Sequence, residues 1–372
     1  MDFAFSPEQD MLRASARDFL ADRYPIERVV ELAQSDAGWD PASWAQLADL
    51  GWLGLSVAAD RGGAGMTLLD ESVLFEETGG ALYPGPFFAT IALALPALEA
   101  AYGEQPDALD AVVTGTGHAT LAWAETDGPV SILDSASVQC AARRDGEQWL
   151  LSGTKRFVPD LAAVDTVVVV ARSDDGVGLW LVDLRAAASS VVARSTMDTT
   201  RRLGDLVLDA TPGRLLVAPG QADEVLRATR RRALAALACE AVGVAQRALD
   251  LSAAYAGQRE QFGRAIGTYQ GVSHRIANIY VSLQLARSLA YWAAWAVATG
   301  DGQADLACAA AKSAAGEAAV FACENAIQSM GGIGFTWDHP LHRYYKRAQW
   351  IEAFEGFGRE HRSELAGVLL DA

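Results

Sequence analysis

The sequence predicts an α+β fold laid out as helices, then strands, then helices. Three observations carry that expectation. Apolar residues recur at spacings of three and four in the first third; strand signals recur at roughly ten-residue intervals in the middle; long alanine-rich helical runs fill the last third. The boundaries read as an N-terminal helical domain over 1–118, a small middle β-barrel or sandwich over 119–217, and a C-terminal four-helix bundle over 218–372.

The first helix opens at Ser6-Pro7-Glu8-Gln9. Ser6 serves as N-cap, Pro7 fits the first turn, and Glu8 lies at the positive end of the helix dipole. Met11, Leu12, Ala16, Phe19 and Leu20 then mark one buried face. A second helix opens at Pro41-Ala42-Ser43-Trp44 and stops by Gly51. Asp60–Ser72 reads as a glycine-rich connector leading into a helix capped near Thr67.

From Ala119 the period changes to that of strands. Thr120–Ala124 is a short apolar run, and Ser137–Ala142 and Gln148–Ser152 flank a hairpin turn at Arg144-Asp145-Gly146. Asp165–Ala171 and Gly178–Val182 form a second pair across Asp175-Gly176. Strand signals continue to about Leu216, at a spacing that suits a barrel or sandwich better than βαβ units.

Three long helices follow, over about 221–258, 268–299 and 303–330, with one or two shorter ones after them. The stripe Tyr280, Leu283, Leu285, Leu289, Trp292, Trp295 and Val297 is a packing surface. Two short non-helical sites interrupt this block. One carries Arg259 beside Phe262-Gly263; the other carries Gln328 followed by Gly331, Gly332 and Gly334. Glu355 follows about twenty residues later.

Hydrophobic residues make up 51% of the chain, enough for a core, so disorder is excluded. The balance of 47 acidic to 30 basic residues, formally −17, repels DNA and anionic membrane surfaces, so neither nucleic acid nor membrane is expected as a partner. No charge-free run of about 18 apolar residues stands out. Cys140, Cys239, Cys308 and Cys323 form no CxxC and read as buried free thiols. The stretch MDFAFSPEQDMLRASARDFL has acids where a signal peptide has bases, so a cytoplasmic location is expected.

Two segments together resemble signatures of the acyl-CoA dehydrogenase family. AVGVAQRALDLSAAYAGQREQFGRAIGTYQ is similar to its R-x-x-F-G segment, and QSMGGIGFTWDHPLHRYYKRA to its Q-x-x-G-G-x-G-[FY] segment. The resemblance implies FAD as cofactor and an acyl-CoA thioester as substrate. It places Arg259 against the FAD pyrophosphate, where a guanidinium fork suits two phosphates. Without it, Arg259 reads as a surface arginine paired with Glu260 or an acid one turn away. Gln261 and Phe262 match positions beside the flavin, although Phe262 on its own reads equally as core. Gln328, Gly331 and Gly332 match the segment that receives the ADP half of a neighbouring subunit's FAD, while Met330-Gly331-Gly332 is also a good helix stop. A site built from two subunits implies at least a dimer.

Phe354-Glu355-Gly356 resembles the motif around the family's catalytic carboxylate, which takes the α-proton while the β-hydrogen leaves as hydride. Read alone, Glu355 is an ordinary helix-surface acid, with Glu352 and Glu360 as neighbours easily confused with it. Glu240, in the apolar run ALACEAVG, is the second candidate base. Some members carry a base on the equivalent helix, but at the position matching Ala233. Two departures from the pattern concern the strand region. The loop that meets flavin and thioester reads Ala124-Glu125-Thr126-Asp127-Gly128-Pro129, and the segment flanking the flavin reads Phe157-Val158-Pro159, which keeps a stacking ring and loses a hydroxyl. Phe357 replaces the threonine after the catalytic Glu-Gly.

Such changes resemble members from steroid- and polyketide-degrading bacteria, some of them α2β2 tetramers. The expected activity is therefore FAD-dependent α,β-dehydrogenation of a bulky acyl-CoA by a homo- or heterotetramer, with an electron-transfer flavoprotein as electron acceptor. On the same fold stand two alternatives: a flavin monooxygenase or carrier-bound thioester dehydrogenase, and a non-catalytic subunit of a heteromer. Asp338, His339 and His342 lack a defined third metal ligand, so no metal is expected.

Overall fold

The computed structural model describes residues 5–127, 130–185 and 189–370. Its elements begin with α1 (Pro7–Arg23), α2 (Ile26–Gln34), α3 (Ala42–Asp49) and α4 (Leu68–Gly80). A π-helical stretch, Phe88–Ala94, runs into α5 (Leu95–Ala100), and α6 (Pro106–Val113) follows. The strands are β1 (Ala119–Ala122), β2 (Ala141–Asp145), β3 (Gln148–Pro159), β4 (Thr166–Ser173), β5 (Gly176–Asp183), β6 (Ser189–Arg194) and β7 (Leu203–Val217). Then come α7 (Ala222–Gln258), the two-residue strands β8 (Glu260–Gln261) and β9 (Arg264–Ala265), α8 (Gln270–Ala298), α9 (Ala304–Met330), α10 (Leu341–Ala353) and α11 (Gly358–Leu370). This is a helical N-terminal domain, a small β-barrel and a C-terminal helical bundle.

The expected start of α1 is present in full. Ser6 Oγ accepts from the Gln9 amide at 3.2 Å and Gln9 Oε1 accepts from the Ser6 amide at 3.0 Å, a complete capping box.

By contacts the chain forms two compact units. One takes in the described residues of Met1–Val30, Leu68–Tyr83 and Leu234–Ala372; the other spans Glu31–Thr67 and Pro84–Ala233. The second unit contains the barrel. β4 pairs with β2 and β5, β2 with β3, β3 with β7, and β7 with β5, so the sheet closes on itself. β1 adds parallel to β4, and β6 adds to β7. Val167, Val169, Ala171, Trp180, Val182, Leu151, Leu206 and Leu208 fill the interior, as the alternation of strand side chains requires.

In the first unit, α9 is the central helix, packed on α8, α10 and α11. It is long and apolar, with a window of mean hydropathy 1.3, yet 67% of that window is buried inside the protein, as in a core helix. Arg13 on α1 bonds Glu76 on α4 (3.4 Å) and Tyr291 on α8 (3.0 Å), and Arg287 on α8 reaches the same Glu76 at 3.1 Å. A hydrogen-bonded charge network of this kind ties three helices together. Of the expected packing stripe on α8, Leu283 is buried, while Tyr280 and Leu285 stand exposed beside Val281. All four cysteines are buried thiols outside any disulfide.

Candidate active site

α10 ends at Ala353, with Phe354 as its cap and the Phe354 amide bonded to the Trp350 carbonyl at 3.1 Å. Glu355 comes next, at φ +59°, followed by Gly356 at +101°. A left-handed backbone costs a side-chain-bearing residue on the order of 1 kcal/mol, which is why glycine usually fills this position after a helix. Glu355 is partly buried, and its Oε2 is closed off from solvent.

The neighbouring acids sit in different settings. Glu352 Oε1 accepts from the Gly358 amide at 3.0 Å, and burial raises its carboxyl pKa above the ordinary carboxylate value. Glu360 is bonded by Arg359 at 2.6 Å, which lowers its pKa. Glu240, on α7, is buried and paired with Arg347 of α10 at 2.5 Å, the two side chains 2% and 0% exposed. An acid in an apolar helix thus has its charge answered by a buried guanidinium.

Arg259 follows the last turn of α7, its amide bonded to the Tyr255 carbonyl at 2.8 Å. The hairpin β8–β9 comes next. Its two turn residues, Phe262 (φ +54°) and Gly263 (φ +79°), have the positive angles of a type I′ turn. Phe262 is 93% exposed, which overturns its reading as a core residue. Among the described residues no acid pairs with the Arg259 guanidinium, so the reading of a surface ion pair with Glu260 also fails. Gln261 is exposed, and its carbonyl accepts from the Tyr269 hydroxyl at 3.0 Å.

Gly331 stops α9, as a helix-ending glycine should, with its amide on the Ile327 carbonyl. Its φ +66° and ψ −139° lie where only glycine is comfortable. No atom stands within 4 Å of where a Cβ would be at Gly331 or Gly332. Gln328 is exposed beside them.

These two motifs lie at one end of the same helix pair. Arg275, near the start of α8, bonds Asn325, near the end of α9, at 3.1 Å. The Arg259 hairpin precedes α8, and the glycines follow α9. Glu355 lies elsewhere on α9: the turn that carries it is bonded to Lys312, 18 residues before Met330, or about 27 Å along the helix at 1.5 Å per residue.

In the barrel, Phe157 also has a left-handed backbone, φ +54°, at a bulge in the β3–β7 register between Lys155 and Val158. Its ring lies 5.8 Å from the Arg156 guanidinium and 5.1 Å from that of Arg194. Asp205 accepts from the Phe157 amide at 3.3 Å and is bonded to Arg194. In the divergent loop, Glu125 accepts from the Cys140 amide (3.0 Å) and from the buried Lys155 (2.5 Å). Gly128 and Pro129 of that loop lie outside the described residues, as do Met1–Ala4 at the N-terminus. His339 Nδ1 accepts from the Leu341 amide at 3.2 Å, and His342 packs on Trp337 at 4.6 Å with its pKa pushed down to about 4, chiefly by burial.

Residues 225–370 match the model of the acyl-CoA dehydrogenase C-terminal domain, and residues 6–105 that of the N-terminal domain. The acyl-CoA dehydrogenase IpdE2 of Mycobacterium tuberculosis is 32% identical over 342 residues, 92% of this chain and 91% of that one. Among solved structures, a variant of the Tcur3481–Tcur3483 steroid ACAD is 34% identical, with TM-score 0.87 over 98% of both chains. The ChsE4–ChsE5 complex from Mycobacterium tuberculosis is 25% identical, with TM-score 0.89 over the whole of both.

The chain belongs to the acyl-CoA dehydrogenase family. That family comprises flavoprotein oxidoreductases acting on CH–CH bonds, with FAD as cofactor. The residues present fit a group of that kind. Arg259 is exposed and free of any acid among the described residues, and Gly331-Gly332 presents bare backbone at the same end of the bundle. A cation fork and uncovered backbone suit a pyrophosphate and a ribose. For an acyl-CoA dehydrogenase, two residues of this region escaped the sequence reading: Arg347, the partner of Glu240, and Lys312, beneath the Glu355 turn. Lys312 had a signal available. It is the only lysine in the run DLACAAAKSAAGEAA, and a cation among small apolar residues of a helix needs a partner just as Glu240 does.

Proposed function

We propose that this chain catalyses α,β-dehydrogenation of an acyl-CoA thioester with Glu355 as the base. The observation that carries the reading is the setting of Glu355: a carboxylate with a solvent-shielded oxygen on a left-handed backbone that glycine would occupy with less strain. A carboxylate shielded from water is a better base toward a thioester α C–H than one in bulk solvent. Positioned proton transfer of this kind contributes about 10²–10⁴-fold in rate. FAD, when bound, supplies the acceptor for the β-hydride.

The remaining roles follow from the same reading. Arg259 would hold the pyrophosphate, with Gln261 and Phe262 beside it, and Phe157 would supply a stacking ring for the flavin. Gln328, Gly331 and Gly332 receive the ADP half of the FAD of a second chain. The glycine end and the Glu355 turn, separated along α9, then serve different cofactor molecules. Glu240 is left as a structural acid, because its carboxylate is occupied by the buried guanidinium of Arg347. The acyl group is bulky, in keeping with the steroid ACAD relative, and the enzyme works as a homo- or heterotetramer in the cytoplasm with an electron-transfer flavoprotein as acceptor. Two-chain names such as Tcur3481–Tcur3483 and ChsE4–ChsE5 among the similar structures support a heteromer.

The test is spectroscopic. The purified protein should be yellow, and its flavin band should bleach with one member of a panel running from butyryl-CoA to a steroid-side-chain CoA. Glu355→Gln should stay yellow and not bleach. Bleaching retained in that variant would remove Glu355 as base. Rapid reoxidation of the bleached enzyme by O₂ would favour a monooxygenase instead.

A further inference from the structure

The turn carrying Glu355 is held from outside itself, by two consecutive residues of α9. The Lys312 side chain is fully buried, and its ammonium donates to the Glu352 carbonyl at 3.2 Å and to the Gly356 carbonyl at 3.1 Å. The Ser313 hydroxyl donates to the Gly358 carbonyl at 3.1 Å and accepts from Arg362 at 3.2 Å. Glu352 closes the far side by accepting from the Gly358 amide. Carbonyls before and after Glu355 are therefore fixed to one rigid helix.

A buried ammonium is costly unless its protons are bonded, and an aliphatic side chain would fill the same place in α9 without that cost. Two Lys312 bonds go to the backbone on either side of one residue in a strained conformation. Left unheld, that residue would relax out of the left-handed region. We infer that Lys312 is a positioning residue for Glu355: its ammonium, aided by Ser313, keeps the turn in the form that aims the carboxylate. The inference rests on the reading of Glu355 as base.

The experiment compares Lys312→Met and Ser313→Ala with wild type and with Glu355→Gln. The probe is whichever thioester of the panel bleaches wild type fastest, in single turnover. A carboxylate misplaced by about 1 Å loses on the order of 10²-fold in rate. Lys312→Met should lose about that much in the bleaching rate, while flavin content and the half-saturating thioester concentration stay at wild-type values. Ser313→Ala, which removes one bond to the turn, one to Arg362 and no charge, should lose several-fold. If Lys312→Met does not fold, Ser313→Ala decides, and a wild-type rate there overturns the inference. A fully active Lys312→Met beside an inactive Glu355→Gln overturns the positioning role and leaves the base standing. An active Glu355→Gln removes the base itself. A readout without turnover is the melting temperature of the double variant. Lys312→Met should cancel most of whatever Glu355→Gly gains, and simple additivity would refute the coupling.

Discussion

At the scale of single residues, function and stability pull in opposite directions at position 355. Glu355→Gly removes the side chain from a left-handed backbone, so it should stabilise the fold by about 1 kcal/mol while abolishing substrate-driven bleaching. A thermal melt of the variant checks this, and a lowered Tm would count against stored strain. The opposite outcome is expected at Arg347. Arg347→Met removes the buried guanidinium that bonds Glu240, and breaking a buried pair of this kind costs about 3–5 kcal/mol. Denaturant titration of Arg347→Met and of Glu240→Gln, each of which breaks the pair from one side, measures that cost; small losses in both would mean that the pair is not desolvated. The apolar run around Glu240 announces a buried acid, but the backbone settings are not legible in the sequence. Phe157, Phe262 and Glu355 were singled out by motif, yet nothing in their residue types announces a positive φ. Backbone propensity argues against it for all three, and only the surrounding structure imposes it.

At the scale of elements, helices are more legible in this sequence than strands. The long helices expected over 221–258, 268–299 and 303–330 are α7, α8 and α9 to within two residues, because a 3.6-residue period sustained over seven or more turns is hard to mistake. Strand edges shifted. The run expected at Ser137–Ala142 is β2, Ala141–Asp145, and the hairpin turn centres on Gly146-Glu147. β3 runs on to Pro159 past the expected end at Ser152, because a bulge lets the strand continue where its alternation fails. The junction of α10 and α11 carries a pH prediction. Burial raises the Glu352 pKa, so folding disfavours its charged form. Below the unfolded pKa the group is neutral in both states and costs nothing. The penalty grows as pH rises through the unfolded and then the folded pKa. Glu352→Gln keeps an acceptor for the Gly358 amide and should therefore match or exceed wild-type stability at pH 7, with the difference shrinking toward pH 4. Melts at the two pH values decide it; a gain confined to acid would reverse the sign and remove the argument.

At the scale of the whole molecule, three of the most exposed aromatic side chains share one end of the helical bundle. Phe262 is 93% exposed, and Phe335 and Trp337 are each 73% exposed, in the two motifs at one end of α8 and α9. Exposed aromatic residues grouped in this way mark a surface made to be covered. Trp337 is held ready rather than loose, with the Lys346 ammonium 4.6 Å and the Arg343 guanidinium 5.7 Å from its ring. If a second chain covers this end and shares the cofactor, flavin binding and association are one equilibrium, and mass action makes each depend on protein concentration. Fractional flavin content, measured after dilution over several decades, should fall together with the mass read by analytical ultracentrifugation. Trp337→Ser should shift both curves to higher concentration by the same factor, whereas Arg259→Ala should lower flavin content and leave the apoprotein melt within about 0.5 kcal/mol of wild type, because its guanidinium meets no acid among the described residues. Flavin content independent of dilution in a protein that does dissociate would mean that one chain holds the cofactor alone. The open backbone at Gly331 and Gly332 would then need another occupant.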